Sequence, residues 1–185
     1  MIATVFIPYL WGLAEGTFFF IVPDVWLTGL AFFLPNRKMA YRAVMWAVLG
    51  ALSGGLLMYF VGKQTPMPQL TLRLDRTPGI SANMVNQVAG HLRESGLISV
   101  FNGMFRGIPY KIYAAEWGRL SGNITLFLFF SILARATRFL VGIFIAQIID
   151  FSGNKCVQQW PTKKGAIFSA FWIIFYFFYF LILGW

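Results

Sequence analysis

Carboxylates are what this chain has least of: Asp and Glu together number six, against 15 Lys and Arg, and charged residues of both signs make up only 11%. A soluble domain of ordinary composition carries about 25% charged residues, so the chain does not read as one. Cysteine and histidine are each present once. A lone Cys156 excludes an internal disulfide, and no Cys/His cluster has metal-ligand spacing, so neither a metal nor a cofactor is expected. His91 reads as a solvated helix-surface residue, since one imidazole without partners is not a metal site. No run of Lys and Arg and no polar domain is available to carry nucleic acid. The residues before Leu34 lack a basic region ahead of their apolar part, so a cleaved signal peptide is not expected.

What is abundant is hydrocarbon. Apolar residues reach 58%, aromatics 19%, and there are 21 Phe, more than a soluble core of this size would hide. The expected class is an all-α integral membrane protein with one membrane domain, 1–185. The net charge of +9 then means loops drawn to anionic lipid and a cationic surplus within the bilayer.

Residues 1–34 are apolar but interrupted by Pro8, Glu15, Pro23 and Asp24. They form either one spanning helix with Glu15 near its middle or a re-entrant hairpin turning at Pro23–Asp24. The hairpin is favoured, because arms of about 10–15 residues reach only about 15–22 Å of a core about 30 Å thick. A proline beside a carboxylate in apolar sequence fits backbone that lines a cavity. Pro35-Asn36-Arg37-Lys38 with Arg42 reads as a basic turn on the cytoplasmic side. A hairpin entering from that face keeps the N-terminus cytoplasmic, whereas a simple span puts it outside. The block 39–62 is the next spanning helix, and its small-residue run Gly50–Gly55 suits close helix packing, within the chain or in a homo-oligomer. Tyr59 near its end reads as an interfacial aromatic.

The block 63–95 begins as a loop through Pro66, Pro68 and Pro78-Gly79, then turns helical from Ser81, a fitting N-cap. Met84, Val85, Val88 and Leu92 make an apolar stripe at helical spacing, for a helix lying on the membrane surface or on the bundle. The block 96–118 repeats the ingredients of 1–34: an apolar arm, Arg106-Gly107, Pro109, then Lys111. Two interrupted segments in corresponding halves point to a binding site between them. The expected fold is therefore two re-entrant hairpins facing each other plus about three spanning helices. The remaining spans are 124–149, with Arg135 and Arg138 on one face, and 165–185, whose Phe and Tyr face lipid and neighbouring helices. Between them Asp150–Lys164 reads as a polar loop, anchored at the interface by Trp160-Pro161 and Lys163-Lys164.

The ionisable residues in apolar context are Glu15, Asp24 and Glu116 against Arg106, Lys111, Arg119, Arg135 and Arg138, a surplus of two positive charges. Each costs about 2.5–3.5 kcal/mol on insertion scales, which is tolerated beside a partner or a wet cavity. An anionic guest relieves the surplus, and the forked guanidinium suits phosphate. The expected site binds a lipid phosphate on Arg106, Lys111, Arg135 and Arg138, with Pro23, Gly107 and Pro109 at the hairpin turns. Glu15, Asp24 and Glu116 pair with these charges or carry a proton. The opposing reading is a static ion-pair cluster that only fixes helix packing. A proton-coupled ion or small-molecule transporter is a second functional class. An enzyme of lipid phosphates is a third, disfavoured because neither a metal site nor a convincing base is present.

RGIPYKIYAAEWGRL, the later RATRF, and VPDVWLTGLAFFLPNRKMAYRAVMWAVLGALSGGLLMYFVGK resemble, in order, motifs of the DedA superfamily (VTT-domain or SNARE-associated Golgi proteins), in its YqaA-like branch. The resemblance covers roughly residues 12–145. It implies two re-entrant hairpins meeting in the bilayer and a role in moving lipids, undecaprenyl phosphate or phospholipid, across a membrane that in bacteria is the inner one. Glu15, Asp24, Arg106, Lys111 and Arg138 align with positions regarded as functional there. Lys111 stands where arginine is more common, and Glu116 where a small residue is usual.

Overall fold

The structure, a computed structural model, describes residues 2–34, 37–152 and 161–183. A short 3-10 turn at Ile2–Thr4 leads into α1 (Phe6–Thr17), followed by α2 (Asp24–Phe33), α3 (Arg37–Gln64), α4 (Met67–Asp75) and α5 (Ala82–Ser95). Then come α6 (Ile98–Phe105), α7 (Tyr110–Arg119), α8 (Ile124–Ser152) and α9 (Pro161–Leu183). No strand occurs among the described residues. Three stretches, Arg37–Gln64, Ile124–Ile149 and Lys164–Ile182, are long and apolar enough to cross a membrane. Large apolar side chains stand exposed along them, among them Leu57, Phe144, Ile173 and Phe177, which suits lipid rather than water as the surrounding medium. The chain is thus an all-helical protein with the marks of a multi-pass membrane protein.

α3 is the spine, and its small residues explain why. On one face Gly50 and Gly54 touch α1 so closely that an added Cβ would run into the carbonyls of Tyr9 and Leu13. On another face Gly62 lies against the Ala115 carbonyl of α7, and Gly118 of α7 answers against the Tyr59 carbonyl. Backbone meets backbone on both sides, the arrangement that small residues permit where lipid offers no hydrophobic drive for association. The run Gly50–Gly55 therefore serves packing within the chain.

Two apolar clusters flank this spine. Leu27, Ala43, Ala47, Phe139 and Ile143 join α2, α3 and α8. Leu70, Val88, Leu92, Ile112, Tyr113 and Phe127 join α4, α5, α7 and α8. Ser81 caps α5, its hydroxyl accepting from the Met84 N–H at 3.3 Å. The stripe Met84, Val85, Val88 and Leu92 is buried in the second cluster, so of its two expected placements α5 takes the one on the bundle.

The segment after α3 departs from expectation. Met67–Asp75 is helical rather than a loop. Pro66 sits in extended backbone as the N-cap and Pro68 falls in the first turn, where the missing N–H has no partner to lose. Tyr59 is buried, not interfacial: its hydroxyl donates to the Gly122 carbonyl at 2.7 Å, and its ring stacks on Phe127. At the other polar connection α8 runs on to Ser152 and α9 already begins at Pro161. Pro35-Asn36, Cys156 and Trp160 lie outside the described residues.

α1 and α2 are separated by residues 18–23, and α6 and α7 by residues 106–109. The arms hold 12, 10, 8 and 10 residues. At about 1.5 Å per residue none exceeds about 18 Å, well short of a hydrocarbon core about 30 Å thick.

Candidate functional site

Both interruptions expose backbone groups that a helix would have paired, and in apolar surroundings each must find a partner. Three side chains from three helices supply them at the first break. The Trp11 indole of α1 donates to the Ile21 carbonyl at 2.9 Å. The Lys111 ammonium of α7 donates to the Phe19 carbonyl at 2.7 Å. The Val22 N–H donates to the Tyr176 hydroxyl of α9 at 2.9 Å. Pro23 then caps α2. At the second break Gly107 takes φ +74°, a conformation glycine adopts without strain, and Pro109 starts α7 in extended backbone. Arg106 N–H and Ile108 N–H both donate to the Gly103 carbonyl, and the Tyr179 hydroxyl reaches to 3.5 Å from the Gly107 carbonyl.

Three carboxylates each take one arginine. Glu15 pairs with Arg135, both almost wholly buried (side chains 5% and 3% exposed). The guanidinium also lies 4.8 Å from the Tyr110 ring centre and 5.2 Å from that of Phe139, within cation–π range. Asp24 pairs with Arg138 at 3.2 Å; the Asp24 carboxylate sits in the first turn of α2, where the helix dipole also favours a negative charge. Glu116 pairs with Arg119 at 2.7 Å, one turn along α7. Two bases remain, and among the described residues no carboxylate makes an ion pair with either. Lys111 is buried with its carbonyl partner, and Arg106 is exposed.

A chamber of about 760 Å³ lies between the two breaks, α8 and α9. Its charged lining is Glu15, Arg106, Lys111 and Arg138, three cations to one carboxylate. Gly107 and Pro109 also line it, and Tyr176 and Tyr179 form its α9 wall. The expected site residues are thus divided by the fold. Glu15, Arg106, Gly107, Pro109, Lys111 and Arg138 come together. Asp24 stands next to them behind Arg138. Arg135, expected as a phosphate ligand beside Arg138, is turned to Glu15; it does not line the chamber but a small pocket of about 10 Å³ beside it. Glu116 is fully buried at its own pair and does not line the chamber. Arg135 and Arg138 do share a helix face, but each is drawn to a carboxylate from a different side of the first break.

Sequence reasoning missed Tyr176 and Tyr179. The signal was available: in a run of Phe, Ile and Leu, two hydroxyl-bearing rings stand three residues apart and so share one helix face.

The chain matches no protein-family model, no curated protein and no solved structure.

Proposed function

We propose that the chain is a multi-pass protein of a bacterial inner membrane that moves an anionic lipid, a polyprenyl phosphate or a phospholipid, between leaflets, and that its kinship is with the DedA superfamily. In this reading α1–α2 and α6–α7 are re-entrant hairpins, and their breaks meet at membrane depth to form the polar chamber. The observation that carries it is the charge of that chamber: Arg106, Lys111 and Arg138 line it with Glu15, and with Arg138 set against Asp24 and Glu15 against Arg135, Arg106 and Lys111 pair with no carboxylate among the described residues. Cations in low dielectric without matching carboxylates are severely penalised, and a phosphate head group neutralises them with charge-assisted hydrogen bonds. Arms too short to span support the hairpins, and a broken helix lining a cavity is the arrangement bilayers tolerate. Glu15, which reaches the chamber while paired to Arg135, is the group a proton-coupled cycle would use. That same observation sustains the runner-up, a proton-coupled ion or small-molecule transporter.

Arg106 is the residue to test, because it is exposed and, among the described residues, pairs with no carboxylate whose loss would disturb the fold. In proteoliposomes Arg106→Gln is expected to slow leaflet exchange of a fluorescent anionic phospholipid or polyprenyl phosphate by about ten- to hundredfold, the weight of one charged hydrogen bond. Cation flux is expected from neither the wild-type chain nor the variant. Exchange unaffected by the substitution, or cation flux in place of lipid exchange, refutes the proposal.

A further inference from the structure

A second cavity, of about 350 Å³, opens beyond Arg138 between α2, α8 and α9. Phe32, Ile149, Ile167, Phe168 and Phe171 are among its walls, and the Asp24–Arg138 pair stands in its lining. Ile149, Ile167 and Phe171 are more than half exposed at its rim, on helices whose outer faces suit lipid. Val22, Arg138, Gly142, Ile145 and Phe175 line both this groove and the chamber. The lining thus passes from a cation-rich chamber, past the Asp24–Arg138 pair, to a mostly apolar groove, against whose Phe32 wall the Lys164 ammonium lies 4.6 Å from the ring centre. A helix about 10–12 Å across with its side chains is too wide for a space of this size.

Gly142 stands where the two cavities meet. Gly50, Gly54 and Gly62 of α3 are filled against neighbouring backbone, but an added Cβ at Gly142 would meet nothing nearer than Asp24 Oδ1 at 3.6 Å and Thr28 Cγ2 at 3.7 Å. Helix packing does not require glycine here, and the space it leaves lies on the wall common to both cavities. We propose that chamber and groove are one site for an amphiphile: the phosphate head sits among Arg106, Lys111 and Arg138, and one hydrocarbon chain passes over Gly142 into the groove. The inference rests on the anion reading of the chamber and adds the tail.

The test uses the full chain in maltoside micelles, with radiolabelled dodecyl phosphate displaced by unlabelled dodecyl phosphate, inorganic phosphate or dodecyl trimethylammonium. The wild-type chain is expected to prefer dodecyl phosphate to both competitors. Gly142→Leu, which narrows the passage, and Ile149→Trp, which fills the groove away from the chamber, are each expected to lower the ratio of dodecyl to inorganic phosphate affinity by about tenfold or more, the worth of roughly two buried methylenes. The second variant sits at the lipid-facing rim, so the test survives if the first does not fold. A ratio unchanged in the folded variants overturns the tail site while leaving the head reading intact. Dodecyl trimethylammonium binding as tightly as dodecyl phosphate to the wild-type chain, or no binding of either phosphate, overturns the head reading and the combined site with it. Inorganic phosphate as tight as dodecyl phosphate in the wild-type chain shows a free-phosphate site and overturns the tail.

Discussion

The Glu15–Arg135 pair separates what holds the bundle together from what the chamber does. Its two side chains are 5% and 3% exposed, and two aromatic rings flank the guanidinium. Arg135→Met leaves a carboxylate buried without its partner, and breaking a buried pair in this way costs about 3–5 kcal/mol. At about 2–4 °C per kcal/mol for a chain of this length, the melting temperature should fall by roughly 6–20 °C. Glu15→Gln should fall comparably, since it strands the guanidinium. The double variant Glu15→Gln/Arg135→Met removes both charges and should recover most of the loss, because an intact buried pair contributes little net stability. Arg138→Gln is the contrast: its side chain is 24% exposed against 3% for Arg135, so its loss should cost less than that of Arg135, though the buried Asp24 it leaves keeps the penalty above that of a surface pair. The assay is thermal unfolding in mild detergent followed by loss of monodisperse protein, with leaflet exchange measured on the same preparations. Should the two single losses simply add in the double variant, to within about 0.5 kcal/mol, the groups are not coupled and the reasoning fails. If the double variant melts near the wild type yet exchanges no lipid, Glu15 has a role in the chamber beyond holding Arg135.

Other consequences follow from the packing and from the breaks. Gly62→Ala and Gly118→Ala drive a methyl into the carbonyls of Ala115 and Tyr59 and should abolish accumulation of folded protein, whereas Gly90→Ala on α5, with nothing within 4 Å, should stabilise by about 0.5–1 kcal/mol through helix propensity. Normal yields of Gly62→Ala would show that α3 and α7 do not touch backbone to backbone. Tyr176→Phe leaves the Val22 N–H without its acceptor and should cost about 1–3 kcal/mol, while Tyr179→Phe, whose hydroxyl lies at the longer 3.5 Å from its carbonyl, should cost less; equal melting of the two variants would remove α9 from the support of the first break.

The long elements were legible because their signals are local. Three charge-free or nearly charge-free apolar runs announce helices of spanning length, and Ser81 followed by an apolar stripe announces α5 at its first residue. Met67–Asp75 was hidden by prolines that usually interrupt a helix and here begin one. The charge surplus of two was legible as arithmetic, but the partners were not. Nothing in the spacing of Arg135 and Arg138 reveals that Glu15 takes one and Asp24 the other, because that choice depends on how far α1 and α2 stand apart across the break. Tyr59 looked interfacial by its place in the chain, yet it is buried because α7 and the Gly122 carbonyl come to it. Long-range contacts set these assignments, and periodicity along one helix carries no information about them.

Lys111 joins support of the fold to chemistry in the chamber. An ammonium has three donors and no acceptor, and the Phe19 carbonyl takes one of them at 2.7 Å. That bond is what an unwound segment in apolar surroundings requires, and it would be needed whatever the protein did. The residue also lines the chamber, and the carbonyl occupies only one of its N–H groups. An acceptor entering between Lys111 and Arg106 can therefore bind without the first break giving up its partner. A neutral donor would add no charge, and a glutamine amide, one bond shorter than the lysine, would also fall short of the Phe19 carbonyl. In the reading proposed above the lysine adds a charge that a neutral donor would not, so Lys111→Gln should weaken phosphate binding in the chamber, and phosphate affinity equal to the wild type in the folded variant would leave Lys111 with the support of the first break alone.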